Sequence, residues 1–299
     1  MAGTKISRFA TADVIAIPYL YFSSLYHNIS RRRLFDDVKT FVLFMGCPRS
    51  GHTLVGFLLD AHPNIIVGSR VSTLKYHKHG FGRQQIFDLL LQNSRQIASL
   101  GRQRKYSYEV PGMWQGRFES LKIIGDSTGL TRLRDQPELL GSLQRKLRGI
   151  EIRLIHCIRN PYDNISTMKA RRGWTLPDTI EEYFSMCERI EELKKQVGGS
   201  AVHELRHEGL IADAPATLRS LCGFLGVPAR ESYHAACAGI IYKSAHKSRF
   251  EVPWDPQLID AVKHRMDRFG FLRGYSYDDE TRRQDSSEER TRVPQTGNG

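Results

Sequence analysis

Gly46 to Thr53 reads GCPRSGHT, the densest run of chemistry-bearing residues in the chain. Gly46 and Gly51, followed by His52 and Thr53, have the spacing of a phosphate-binding loop, G-x-x-x-x-G-K-S/T, with His52 where the lysine would stand. In such a loop, successive backbone N–H groups and the start of the following helix converge on one anion, and a glycine lets the backbone approach closely. Ser50 and Thr53 add hydroxyl donors, and the Arg49 guanidinium can clamp two anionic oxygens at once. The candidate anion-binding set is therefore Arg49, Ser50, Gly51, His52, Thr53 and Leu54. ATP and GTP hydrolases place the missing lysine on the β and γ phosphates and a strand-end Asp on Mg²⁺. Here the only strand-end acid in a similar place is Asp126, within IIGD, so a triphosphatase is disfavoured and no metal is expected.

Such a loop needs a strand before it and a helix after it. Thr40 to Gly46 (TFVLFMG) is a continuous apolar run, as expected of a parallel strand covered on both faces. Beyond the loop, Leu54, Phe57, Leu58 and Ala61 recur at helical spacing until Pro63. Further strands are predicted at Leu121–Gly125, Glu151–Ile158 and Ala201–Arg206. Helices are predicted over Tyr162–Arg172, from a capping box at Asp178 and Glu181, and over Thr217–Leu225. The alternation predicts an α/β fold, one doubly wound, mainly parallel sheet with right-handed crossovers. The organisation read from this is an N-terminal segment 1–38, a single domain 39–277, and a tail 278–299 too polar to fold.

The net charge is +12 and the tail is acidic, so the folded body is more basic still and calls for an anionic partner: nucleic acid, a membrane surface or a polyanionic small ligand. The five cysteines are widely spaced, with no CxxC or Cys/His ligand pattern. They read as reduced thiols of a cytoplasmic protein. Val14 to His27 is uncharged and aromatic, flanked by Lys5 and Arg8 before and Arg31 to Arg33 after. Interrupted by Pro18 and shorter than the ~20 residues that span a bilayer, it is expected to pack against the domain, with a peripheral membrane contact as the competing reading.

At FMGCPRSGHTLVGFLLDAHPNI, LIHCIRNPYDNISTM and VHELRHEGLIADAPATLRSLCGFLGV, taken in that order from Val42 to Val227, the chain resembles the sulfotransferases that use 3′-phosphoadenylyl sulfate (PAPS). The branch it resembles carries a P-R-S-G-x-T loop. The resemblance implies a P-loop-type sulfotransferase fold, PAPS as the donor, and transfer of a sulfuryl group to a hydroxyl or amine. It leaves the acceptor open among a carbohydrate, a lipid-linked or small hydroxylated molecule, and a peptide; nucleic acid is not expected. The first segment corresponds to the family's 5′-phosphosulfate loop and the second to its 3′-phosphate motif. There Arg159 and a hydroxyl one helical stretch later would grip the phosphate; the family spacing of eight selects Thr167, while Ser166 lies seven on. Lys243 to Arg249 (KSAHKSR) resembles the late loop that folds over the nucleotide, which adds Lys247 and Arg249 to the set. The basic stretch from Ser69 to Glu119 is where an acceptor would be expected.

The chain also departs from this family. The stretch Val67 to Thr73 lacks the glutamate that many members place after the loop helix, and Ser127 stands where many have lysine. The general base is then open among His52, Asp126 and Glu109; with Arg49 opposing charge on the leaving oxygen, the catalytic candidates are Arg49, His52 and Asp126. His156, inside an apolar strand, and Met168 read as packing residues. Two other functions compete: a P-loop nucleotide kinase or NTPase, and a non-catalytic nucleotide- or anion-binding module on the same fold.

Overall fold

A computed structural model describes residues 17–25, 32–100, 108–129 and 138–279. The predicted tail from 280 onward, and residues 14–16 and 26–27 of the apolar segment, lie outside the described residues. Five strands, β1 (Thr40–Met45), β2 (Ile65–Gly68), β3 (Ile123–Gly129), β4 (Glu151–Ile158) and β5 (Val202–Arg206), form one sheet in the order β2-β3-β1-β4-β5. Every neighbouring pair is parallel. The fold is the α/β, doubly wound, parallel-sheet class that the residue pattern predicts.

β1 lies at the centre and is buried at all six positions. Its alternate residues feed two separate cores, because successive side chains on a strand point to opposite faces. Phe41, Leu43 and Met45 join Phe87, Leu90 and Ile165 on one side. Val42 and Phe44 join Leu54, Leu58, Leu218 and Leu221 on the other. The helices fill these two layers: α1 over residues 17–25, then α2 (His52–Asp60), α3 (Thr73–Lys78), α4 (Arg83–Leu100), α5 (Glu138–Lys146), α6 (Pro161–Arg172), α7 (Leu176–Val197), α8 (His207–Ala212), α9 (Ala214–Leu225), α10 (Glu231–Ala238) and α11 (Pro256–Met266).

The differences from the sequence reading have local causes. β2 is four residues long and follows α2 almost directly, too short to show a period of its own. Within Ser69–Glu119, where an acceptor would be expected, α4 was not foreseen: it buries Ile86, Phe87, Leu90 and Leu91, packed against β2. The N-cap of α7 is Thr175, three residues before the expected Asp178; its Oγ1 accepts from the Asp178 N–H at 3.2 Å. Asp279, within the stretch read as tail, bonds to the domain: its carboxylate accepts from Asn160 Nδ2 at 3.1 Å.

The strand order fixes where a ligand can enter. From β1 the chain moves to β3 and β2 on one side, and only then returns to add β4 and β5 on the other. The connections leaving β1 and β4 therefore diverge and open a crevice at their carboxyl ends, the topological switch point of open α/β sheets.

His156, on β4 and 1% exposed, packs edge-on against Phe271. Burial, aided by nearby Lys194, holds its pKa well below the ordinary value. Unfolded, the same imidazole binds a proton near ~6.5. The unfolded state thus holds more protons below that pH, and this contribution to stability is lost as the pH falls. Urea unfolding of His156→Leu should show a smaller loss of stability between about pH 7.5 and about pH 5.5 than the parent chain; an equal loss would show that His156 is not an acid-sensitive group.

Candidate anion site at the switch point

Both predicted motifs reach this crevice. The loop 46–51 joins β1 to α2 with three residues at positive φ: Gly46 at 142°, Arg49 at 78° and Gly51 at 99°. Arg49 is the telling one, since a non-glycine held in the left-handed region costs on the order of 1–3 kcal/mol and persists only where surrounding structure imposes it. The two glycines are required for space as well. A Cβ on Gly46 would lie 2.4 Å from the Cys157 carbonyl oxygen and 2.8 Å from Ser50 Oγ. A Cβ on Gly51 would lie 2.8 Å from His207 Nδ1. Gly51 is the N-cap of α2 and brings no side chain to it, so the helix start presents backbone N–H groups and the positive end of its dipole.

Arg159 follows β4 directly, and its guanidinium ties three segments together. Nη1 donates to the Arg49 carbonyl at 3.4 Å and to Thr167 Oγ1 at 3.2 Å. Nη2 donates to the His246 carbonyl at 2.6 Å and to Ser248 Oγ at 3.4 Å. Asn164 adds a second bridge, Nδ2 to the Pro48 carbonyl at 2.8 Å. The loop and the β4 end thus face one another across a single crevice. Arg159 is bonded to carbonyls and hydroxyls, while Asp163 and Glu208 act on it only as nearby charges, so its positive charge is left for an incoming anion. Burial lowers the Arg159 pKa, opposed by those two carboxylates.

Two other polar atoms complete the arrangement. Ser50 is 2% exposed, and its Oγ has no hydrogen-bond partner among the described residues. His207 Nδ1 is likewise buried without one. Burial lowers the His207 pKa, against Glu208 and with Arg159, which favours the neutral imidazole. An unsatisfied buried hydroxyl or imidazole is costly unless a ligand meets it. This donor set, with two arginines, fits a multiply charged phosphate or sulfate ester.

The remaining candidates are placed as follows. Thr53 and His52 open α2, whereas the Leu54 side chain is in the core and only its N–H faces the loop end. Of the two hydroxyls, Thr167 meets Arg159; Ser166 is fully buried and accepts from Trp254 Nε1 at 2.9 Å, so it turns away from the crevice. Arg249 also points inward, in a buried ion pair with Asp163 at 2.6 Å. Asp163, four residues on from Arg159, is thus taken by Arg249. Lys247 is half-buried beside Ser248. Asp126 is committed: Oδ2 accepts from the Thr73 N–H at 2.6 Å and Oδ1 from the Thr128 N–H and hydroxyl, which pins α3 to the end of β3 rather than offering a base. Glu109 lies near the far end of α2, where it lines a cavity of about 240 Å³ with Asp60, Tyr108 and Gln115; burial pushes Asp60 up to about 7. His207 escaped the sequence reading. The signal that would have found it is its place directly after a strand, the same position that Arg159 holds after β4.

The fold and this crevice define an α/β domain with a glycine-bounded loop after its central strand. Residues 151–231, from β4 to the start of α10, match the model of the sulfotransferase family. No curated protein sequence matches the chain. Among solved structures it is similar to the sulfotransferase domain of the Synechococcus PCC 7002 olefin synthase, 18% identical over 75% of this chain and 84% of that one, with a TM-score of 0.44. It is also similar to a mouse sulfotransferase complexed with PAP, 13% identical over 78% and 86%, TM-score 0.46. A third is a sulfotransferase from Mycobacterium tuberculosis, 13% identical over 89% and 85%, TM-score 0.47.

The two late arginines should separate by experiment. Arg249→Ala strands a buried carboxylate and should destabilise the fold by about 3–5 kcal/mol, read as a lowered urea midpoint. Arg159→Ala should leave the midpoint far less changed. Equal losses in both variants would show that Arg159 is a structural tie alone.

Proposed function

We propose that the protein is a PAPS-dependent sulfotransferase acting on a hydroxyl or amine without a metal ion. The observation that carries this reading is the convergence of the 46–53 loop with Arg159 and Thr167 in one crevice, in a chain whose residues 151–231 match the sulfotransferase family. The loop amides, Arg49 and Ser50 would hold the 5′ end of the donor, and Arg159 with Thr167 its 3′-phosphate. Bound there, PAPS supplies an activated sulfuryl group: a bond from the acceptor oxygen or nitrogen to sulfur forms as the bridging oxygen–sulfur bond breaks, and adenosine 3′,5′-bisphosphate leaves.

The chain's own part is positioning and charge. Arg49 and the helix-start N–H groups oppose negative charge growing on the leaving oxygen. Two imidazoles stand beside Gly51: His52 follows it in the chain, and His207 lies against it in space. One of them takes the acceptor's proton. The neutral form that burial favours in His207 is the protonation state that a base requires. The absence of the family's usual glutamate and lysine keeps one second reading, a binding module that retains nucleotide without turnover.

Calorimetry with adenosine 3′,5′-bisphosphate in EDTA should show binding, and Arg159→Ala should weaken it by about 1.5–3 kcal/mol. Unchanged affinity would remove Arg159 from the site, and a requirement for Mg²⁺ would return the chain to the NTPases. Radiosulfur-labelled PAPS offered with a panel of hydroxyl and amine acceptors should then label a product; tight nucleotide binding with no labelled product would favour the binding module.

A further inference from the structure

The outer face of α1 is unexplained by the crevice chemistry. On its inner side Ile17, Leu20 and Tyr21 pack on the core. The Tyr21 ring meets Phe81 edge-on at 5.2 Å, and Gln85 Nε2 donates to the Tyr21 carbonyl and to Ser24 Oγ, each at 3.0 Å. The helix is therefore docked, not loose. On its outer side Tyr19 is 71% exposed, Phe22 69% and Leu25 39%, with Pro18 exposed beside them. Positions 18/19, 22 and 25 recur every three to four residues, so they form one stripe along the helix. No charged residue occurs anywhere from Val14 to His27. A surface helix ordinarily turns polar residues to water; this one turns two aromatic rings.

The surroundings of the stripe are cationic. Lys78 and Arg83, on either side of Phe81, are exposed, and Lys146 Nζ reaches the Phe81 carbonyl at 2.8 Å, with exposed Arg145 next to it. From Ala61 to Tyr108 the sequence holds eight Lys and Arg against a single acid, Asp88, and that acid is buried. Thr73 N–H on Asp126 and Ser72 N–H on Thr128 fasten α3 to the carboxyl end of β3, and α1 sits on Phe81, just beyond α3.

We propose that α1 is a membrane-surface anchor: the stripe of Pro18, Tyr19, Phe22 and Leu25 enters the interface of an anionic bilayer while Lys78, Arg83 and their neighbours meet the lipid headgroups. Aromatic rings ringed by Lys and Arg are what an interfacial helix presents to lipid, whereas the centre of a protein-binding face is depleted in lysine. No helix among the described residues is long and apolar enough to cross a membrane, so the contact is one of lying on the surface. Neither signal is strong alone, and the pair gives reversible, salt-sensitive binding. The inference does not depend on which group the crevice transfers.

The test is sedimentation of the full chain with phosphatidylcholine vesicles made with and without phosphatidylserine, at low and high salt. The protein should pellet with the anionic vesicles at low salt and be released by high salt. Tyr19→Ser with Phe22→Ser should weaken the binding about tenfold or more, as should Lys78→Glu with Arg83→Glu, while the melting temperature and nucleotide affinity stay as in the parent. Phe22→Trp should shift its emission to the blue on adding anionic vesicles. The proposal is overturned if the parent chain stays in the supernatant with both vesicle types, which would assign the stripe a cover within the chain. It is overturned equally if the Tyr19/Phe22 variant pellets like the parent. A parent that is dimeric by sedimentation equilibrium, with the Tyr19/Phe22 variant monomeric and neither binding vesicles, would give the stripe to a second copy.

Discussion

One guanidinium organises the functional end of this molecule. Arg159 leaves the carboxyl end of β4 and donates to the loop behind β1, to the helix that follows it, and to the late segment at the His246 carbonyl and the Ser248 hydroxyl. Among the described residues this cation is hydrogen-bonded by carbonyls and hydroxyls, with Asp163 and Glu208 acting on it only as nearby charges. That combination is uncommon in a nearly buried group, because desolvating a charge without a counter-ion is expensive. Asp163, the carboxylate most able to quench it, is drawn off by Arg249. The buried pair thus supports the site indirectly: it welds the late segment to α6 and leaves Arg159 electrostatically open.

How far the sequence could be read follows from what each element needed. β1, β4 and α6 were legible because long apolar runs, a Pro–Gly punctuated turn and a strand-end arginine each leave a local pattern. β2 left none, being four residues wedged after a helix, and α4 was obscured by its own polar surface, since Gln, Arg and Asn occupy the positions between its buried residues. The loop 46–53 was recognisable from glycine spacing, and its approach to Arg159 followed from strand order once β1 was seen to be central. What spacing could not settle was direction. Ser166 and Thr167 are adjacent, yet only one faces the crevice, because a step of one residue turns a helical side chain by about 100°. Asp126 and Arg249 carried the right chemistry in the right region, but each already had a partner elsewhere in the chain. His207 is brought to Gly51 by tertiary structure alone.

The two imidazoles beside Gly51 reach it by different routes, His52 through the chain and His207 through the sheet. Their environments differ accordingly. The first opens a helix, where the dipole favours a bound anion, while the second is desolvated beside a buried arginine, which favours its neutral form. Gly51 is thus flanked by imidazole on two sides, one at the helix start and one from beyond β5.

The central place of β1 has a consequence during synthesis. Its hydrogen-bonding neighbours begin only at Ile123 and Glu151, so a ribosome must emit half of the polypeptide before this wholly apolar strand can be flanked on both sides. Until then TFVLFM is an uncovered segment of high β-propensity, the kind that associates with other chains when it waits. Pairings this distant in sequence close slowly, which makes the nascent protein a natural client for chaperones until the fourth strand emerges.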